Sequence, residues 1–489
     1  MKSARPVWPA IKASFFFAAI ALVVLGFQGL LDDRYWWHLA VGDLIVGYQR
    51  IPDVQLFLFS VPVDTPWIYG DWLGSVILAE VHALGGAGLN QLVRNLFGAA
   101  ATGVVVFAAR RRSAQLLPCL AAAAAALVGV AWFAPAGPTA LLLPLLALTL
   151  VAALSLIETS HRWWPALLFP LTTLVAINIS PAASLALMVV GLAVASQLVV
   201  KARQQESSRG LIISAILLAS SAVGVVGFAY GPTNLISVVS TASSLTLGEA
   251  VGVLVLAVVT IATLYRVDDD HLPAPRRAMA AIVVVLALFV ALLPDAAVVL
   301  FLLAGLALIA PTAHLAPASG PRRFRRASIL AFVALLAAGV ALQPGLPSRA
   351  TLLEPLRDDL RERPPGQALF PNQLPLRCAE ELARTGRDLR IFHTLDHAGF
   401  LLFHTQRSVP TGAVLFDDHR GLTDPERVEI VDQFRTRQGA QGLFEIWGIN
   451  AAVIPHDEFP ALLDELQQSP RWQELFPEAD SGTSCFLRT

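Results

Sequence analysis

Leu31-Asp32-Asp33-Arg34-Tyr35-Trp36-Trp37-His38-Leu39 directly follows the first long apolar stretch of the chain. Two adjacent carboxylates at the end of a membrane-spanning segment are expensive unless they face water, a metal or a polar partner. Trp36 and Trp37 fit the membrane–water interface, where amphipathic rings anchor at headgroup level. The stretch therefore marks a membrane boundary and a candidate functional site together.

Composition points the same way. The 489-residue chain is 55% hydrophobic and 15% charged, with a mean hydropathy of +0.63. Soluble domains carry about 25% charged residues, so a polytopic membrane protein is expected. A formal net charge of -1, without a basic tract, argues against a nucleic-acid partner. Of the three cysteines, Cys119 falls in a candidate span, so only Cys378 and Cys485 are placed to pair, and nothing in the sequence requires it. Lys2, Arg5 and Lys12 before the apolar run 15–27, with no small-residue cleavage site after it, read as a retained signal anchor.

Crossing about 30 Å of hydrocarbon takes roughly 20 apolar residues. Candidates lie near 13–31, 89–109, 114–133, 138–157, 164–180, 182–200, 211–230, 247–265, 278–294, 295–311 and 327–343, with Pro181 and Pro294 as breaks. With the amino terminus in the cytoplasm, the alternate loops around 134–138, 178–181, 230–244 and 294–295 carry no Lys or Arg. The intervening loops hold Arg110, Arg111 and Arg112; His161 and Arg162; Lys201, Arg203 and Arg209; Arg266, Arg276 and Arg277; and Arg322, Arg323, Arg325 and Arg326. This segregation matches the positive-inside rule. It predicts about eleven spans, with loop 32–88 and everything after about 344 outside. Residues 71–84 are apolar but short, with Glu80 and His82, so an interfacial or re-entrant segment is expected, broken by Gly85-Gly86.

After the spans the composition turns polar. Runs at 390–394, 413–416, 451–455 and 485–488 read as buried strands, and 424–437 and 457–472 as helices. A small α/β domain over 346–489, beyond a 1–345 transmembrane domain, is the expected division. His393, Asp396, His397, Asp417, Asp418 and His419 offer no clean metal-ligand spacing and read as turn and cap residues.

The first-loop acids have two chemical readings. One carboxylate can deprotonate an acceptor hydroxyl as general base, or the pair can hold Mg²⁺ or Mn²⁺. Arg34 suits a phosphate. Against these, Asp32 and Asp33 can simply cap the following helix, His38 can be a packing or hydrogen-bonding residue, and Trp36, Trp37, Trp67 and Trp72 can be interface anchors rather than sugar platforms.

The loop resembles that of bacterial proteins of the GT-C glycosyltransferase superfamily, in a subgroup whose first outer loop reads D-x-D-x-W-W-H-L-x-x-G, then P-x-x-D-x-F-S, then P-W and W-L. Asp32, Trp36, Trp37, His38, Leu39, Gly42, Pro52, Phe57, Pro66, Trp67, Trp72 and Leu73 carry the likeness, with stretches 396–402, 416–421 and 448–455 near the other end. The resemblance implies a polytopic α-helical GT-C-like membrane protein, N-in and C-out, with an extracytoplasmic α/β domain, in the bacterial inner membrane. It implies transfer of a sugar, with inversion, from a polyprenyl-phosphate donor to a lipid, glycan or protein acceptor. The catalytic acid then falls on Asp33, with Asp32 second; both are the possible Mg²⁺ or Mn²⁺ ligands. Arg34, His38, Trp36, Trp37, Asp71 and Glu80 line the substrate site. Two departures stand out: Arg34 replaces the second Asp of D-x-D, unless Asp33 fills it by a one-residue slip, and Gln55 and Leu58 replace the acid and serine of D-x-F-S. Fewer acids imply weaker metal binding. A non-catalytic subunit of an envelope complex is the first rival. A lipid or solute transporter is the second, opposed by spans with almost no buried charge.

Overall fold

A computed structural model describes residues 7–26, 33–59, 66–112, 120, 123–127, 129–130, 137–158, 164–205, 212–217, 219, 375–385, 388–394, 397–405, 440–478 and 482–489. The expected spans beyond 219, strand 413–416, helix 424–437 and residues Asp32, Asp396, Asp417, Asp418 and His419 lie outside this set. Asp33 and Arg34 are described in their backbone alone.

In chain order the helices are α1 (Trp8–Gly26), α2 (Asp33–Tyr48), α3 (Trp72–Arg112), α4 (Leu143–Glu158, entered through a 3-10 turn over Pro138–Leu142), α5 (Trp164–Ile179), α6 (Pro181–Gln205), α7 (Leu376–Arg384), α8 (Ala398–Thr405), α9 (Ala440–Trp447) and α10 (Pro460–Gln468). The strands are β1 (Ile391–Phe392), β2 (Ala451–Pro455), β3 (Trp472–Glu478) and β4 (Thr483–Arg488). The chain divides into two compact units. One comprises Met1–Gly29 with Gly88–Asp358, the other Leu30–Ala87 with Asp359–Thr489.

The first unit is helical. Gly98 and Gly103 of α3 let it approach its neighbours: a Cβ on Gly98 would sit 2.6 Å from Val130 and 2.7 Å from Leu25. Ser14 Oγ of α1 donates to the Gly103 carbonyl at 2.7 Å. Small residues and hydroxyls at helix contacts are the means by which apolar helices associate in lipid, where no hydrophobic force separates helix from solvent. The same chemistry joins α4 to α5 through Thr149 and Thr172, whose hydroxyls lie 2.7 Å apart. Thr139 also donates to Ser180 at 2.8 Å. The expected break at Pro181 is present: α5 ends at Ile179 and α6 opens on the proline, whose missing N–H is harmless at a helix start. α1 and α3 are each long and apolar enough to cross a membrane.

α3 is interrupted where Gly85-Gly86 predicts. Gly86 takes φ +66° and ψ -166°, a backbone state open to little but glycine. The apolar segment 72–84 is therefore a separate helical arm ahead of the following span.

The second unit carries a four-stranded sheet of order β1-β2-β4-β3. β1 pairs parallel to β2; β4 pairs antiparallel to both β2 and β3. Phe392, Ile454, Phe486, Phe444, Leu462, Leu466 and Trp472 form its core, with α9 and α10 contributing alternate turns. Cys378 of α7 and Cys485 of β4 form a disulfide. The helix expected over 457–472 is shorter: it ends at Gln468, and Trp472 opens β3.

Residues 30–87 group with the C-terminal sequence rather than with the spans. The physical reason is a second core: Trp37, Val41, Leu44 and Ile45 of α2, with Phe57, Trp67 and Tyr69 of the following loop, close against Leu402 of α8.

His393, just past β1, is fully buried. Its Nδ1–H donates to the Thr394 carbonyl at 2.7 Å. Burial pushes its pKa down from 6.5 to about 4; the Thr394 bond opposes this and nearby His397 adds to it. Because the folded value is depressed, both states are neutral above pH 6.5 and stability is complete there. Between 6.5 and 4 the unfolded chain takes a proton that the folded chain refuses, and stability falls. At about 1.36 kcal/mol per pH unit, roughly 3 kcal/mol is expected to be lost across that window. The thermal midpoint followed by tryptophan fluorescence should drop accordingly, and His393→Leu should flatten the slope.

Candidate functional site

The tyrosine, histidine and glycine of Tyr35-Trp36-Trp37-His38-Leu39-Ala40-Val41-Gly42 are spaced so that Tyr35, His38 and Gly42 share one face of α2. That face meets the arm of α3. Tyr35 is buried with its hydroxyl 2.9 Å from His82 Nδ1. One turn on, His38 Nδ1 lies 3.0 Å from Ser75 Oγ and 3.4 Å from Asp71 Oδ2. Asp71 immediately precedes α3, and its carbonyl accepts the Ser75 N–H at 3.0 Å. His38 Nδ1 thus stands within reach of both the Ser75 hydroxyl and the Asp71 carboxylate. His38 and Ser75 are buried, and the Asp71 side chain is 21% exposed.

At Gly42 the helices nearly touch. A Cβ there would stand 2.3 Å from the Ser75 carbonyl oxygen and 2.6 Å from Ala79 Cβ. The obstruction is backbone, which cannot rotate away, so Gly42→Ala must spread the helices. Overpacking of this kind costs about 1–3 kcal/mol. Gly42→Ala is expected to lower the thermal midpoint, and Gly42→Leu to prevent accumulation of folded protein.

Trp36, Trp37 and Trp67 are neither interface anchors nor exposed platforms. Trp36 and Trp37 are each 6% exposed, and Trp67 is buried too. Trp36 meets Phe400 edge-on at 5.3 Å and lies against Phe403 and His404 of α8. Trp37 packs edge-on to Phe57 at 5.0 Å. The correction has a simple cause: α2 is covered on three faces, and a helix surrounded in this way is a core helix. Glu80, by contrast, is exposed and stands apart from the His38 contacts. Asp33 begins α2, so its backbone sits in the first turn; the side chains of Asp32, Asp33 and Arg34 lie outside the described residues.

Gln55, which stands where the D-x-F-S pattern has an acid, is 1% exposed. Its Oε1 accepts the Phe57 N–H at 2.7 Å, a role a carboxylate can also fill. Nearby, Trp67 N–H donates to the Asp53 carbonyl at 3.0 Å, and Val54 bridges Pro66. Residues 53–54 and 66–67 therefore pair antiparallel. Sequence reasoning missed Tyr35, Ser75 and the role of His82; the signal available was their helical spacing against the W-W-H-L face.

Among the described residues, no group of three His, Cys, Asp or Glu is placed to hold a metal ion.

No protein-family profile matches the sequence, and no curated protein matches it. Solved structures do. ArnT from Cupriavidus metallidurans bound to undecaprenyl phosphate superposes with a TM-score of 0.50 at 16% identity, over 96% of this chain and 97% of that one. The oligosaccharyltransferase of Archaeoglobus fulgidus in the apo form gives 0.47 at 12% identity, over 91% of this chain and 70% of that one. ArnT in the apo state gives 0.47 at 15% identity, over 96% and 97%. The ArnT likeness spans nearly the whole of both chains, and it shows that this chain has a GT-C-like fold.

Proposed function

We propose that this protein transfers a sugar from a polyprenyl-phosphate carrier to a lipid, glycan or protein acceptor at the outer face of a bacterial inner membrane. The observation that carries the reading is the GT-C-like fold shared with an ArnT structure bound to undecaprenyl phosphate. The placement of Asp33 in the first turn of a helix locked by Tyr35, His38 and Gly42 supports it. The Cys378–Cys485 disulfide supports an extracytoplasmic second unit, because disulfides persist in oxidising compartments.

In this mechanism the Asp33 carboxylate takes the proton of the acceptor hydroxyl. The oxygen attacks the anomeric carbon from the side opposite the phosphate, the carbon–oxygen bond to phosphate breaks, and polyprenyl phosphate departs. The configuration inverts. Arg34 holds the charge of the leaving phosphate, for which its guanidinium fork is shaped. Asp32 is the second acid, and Mg²⁺ or Mn²⁺ held by Asp32 and Asp33 is the alternative assignment of the pair.

The test is direct. The full chain is reconstituted in nanodiscs with a panel of undecaprenyl-phosphate hexoses and an envelope glycolipid fraction, with and without Mg²⁺ and chelator. Acceptor-dependent release of undecaprenyl phosphate is expected for at least one hexose. Absence of release with every donor, together with absence of lipid binding, would remove the proposal.

A further inference from the structure

His82 is the joint at which three separate segments of the second unit meet. It belongs to the arm of α3, and its Nδ1 lies 2.9 Å from the Tyr35 hydroxyl of α2. Its ring stands edge-on to Phe403 of α8, with centroids 5.3 Å apart. Trp36, the next residue of α2, meets the same ring at 6.1 Å. These aromatic contacts leave the imidazole little freedom to swing, so its bond to Tyr35 has a fixed direction. Tyr35 is fully buried, where a hydroxyl is tolerated only when bonded.

Adhesion between α2 and the arm does not depend on this bond. Seven residues beyond Tyr35, two turns or about 10 Å along the axis, Gly42 brings the helices to backbone contact against Ser75 and Ala79. Close packing of small groups holds two helices together but gives little leverage against rotation about the long axis. Polar contacts at the other end of the junction supply it: His38 to Ser75 and, one turn earlier, Tyr35 to His82. Of the two, Tyr35 is nearer to Asp33, which opens α2 two residues before it. A side-chain tip stands about 5–6 Å from a helix axis, so turning α2 by about 10–20° carries it roughly 1–2 Å. A catalytic group must be held within about 0.5 Å of its productive place, and an error of about 1 Å costs on the order of 10²-fold in rate.

We infer that His82 is a positioning residue: through Tyr35 it sets the rotation of the first turn of α2, and with it the place of Asp33 at the reacting centre. This rests on the proposed transfer with Asp33 as its base. It adds a residue of the α3 arm that acts on the chemistry without touching substrate.

Three variants of the full chain in nanodiscs test the assignment, each assayed with the undecaprenyl-phosphate hexose that the wild type accepts. Tyr35→Phe keeps the ring and removes only the hydroxyl; His82→Leu removes the partner. Both are expected to lower kcat by about 10–100-fold while the KM for the donor stays within about two-fold of wild type, the pattern of an interaction made only in the transition state. The rise in melting temperature that undecaprenyl phosphate produces should be that of the wild type in both. His82→Asn places an oxygen and an N–H near the Nδ1 position and should restore kcat to within about three-fold of wild type. A residue that merely filled space would show no such rescue. Equal losses in His82→Asn and His82→Leu, or a KM that rises as kcat falls, overturn the positioning role and leave the donor class standing. So does a kcat for Tyr35→Phe within about two-fold of wild type. If Tyr35→Phe does not accumulate, the two His82 variants decide alone. Absence of turnover by the wild type with every donor removes the proposed transfer, and this inference with it.

Discussion

Asp33→Asn is expected to reduce acceptor-dependent release of undecaprenyl phosphate by about 10²–10⁴-fold in kcat, the span a positioned general base contributes. The substitution is chosen to separate two roles that share one address. Asn is as good an N-cap as Asp, so if the acid pair merely caps α2, the variant folds and works as before. If the carboxylate removes a proton, capping survives and turnover is lost. Asp32→Asn should fall within a few-fold of wild type if Asp33 alone is the base. Comparable losses in both, relieved by raising Mg²⁺, would move the pair to metal ligation. Protein level and melting temperature are measured alongside, because Tyr35 and His38 on the same helix tie it to the α3 arm, and a loss of fold there would mimic a loss of chemistry.

The second large effect is on stability. Cys378→Ala with Cys485→Ala is expected to destabilise the second unit by about 2–5 kcal/mol. The two cysteines are separated by 107 residues, a long loop whose closure removes much freedom from the unfolded chain in the entropic account. Both sulfurs are buried, so the bridge ties α7 to the central strand β4 from within the core. Wild-type protein treated with reductant under mild denaturation should melt like the double variant. If the two melt alike without reductant, the bridge is not formed in the folded protein.

Much of this architecture was legible where the deciding forces are local. Gly85-Gly86 announced the break in α3 because only glycine tolerates that backbone, and Pro181 announced the start of α6. The strands at 391–392, 451–455 and 483–488 were visible as short apolar runs, and Cys378 and Cys485 were left as a pair once Cys119 was placed in a span. What escaped was long-range. β3 went unread beyond Trp472, where the expected helix 457–472 ended, because Glu474 and Pro477 interrupt its apolar pattern; it is an edge strand of the β1-β2-β4-β3 sheet, the position where proline is tolerated. Trp36 and Trp37 look amphipathic at a membrane boundary, and nothing nearby in sequence reveals that Phe57 and Phe400 cover them. His38 read as a packing or hydrogen-bonding residue, but its partners Ser75 and Asp71 lie on another segment and could not be named from the sequence. The acid pair itself was legible only as a motif, since its chemistry depends on what approaches the first turn of α2.

The core that joins α2 to α8 is assembled from chain ends made far apart in time. Trp36 and Phe400 are separated by more than three hundred residues of synthesis, which at about 5–20 residues per second takes roughly 20–70 s. During that interval the ribosome has delivered α2 with its tryptophan, tyrosine and leucine side chains while the segment that shelters them is still untranslated. A nascent intermediate of this kind exposes sticky surface for most of a minute. Truncated products ending before residue 398 should accordingly be held by chaperones or degraded, while full-length chains escape once α8 emerges and docks.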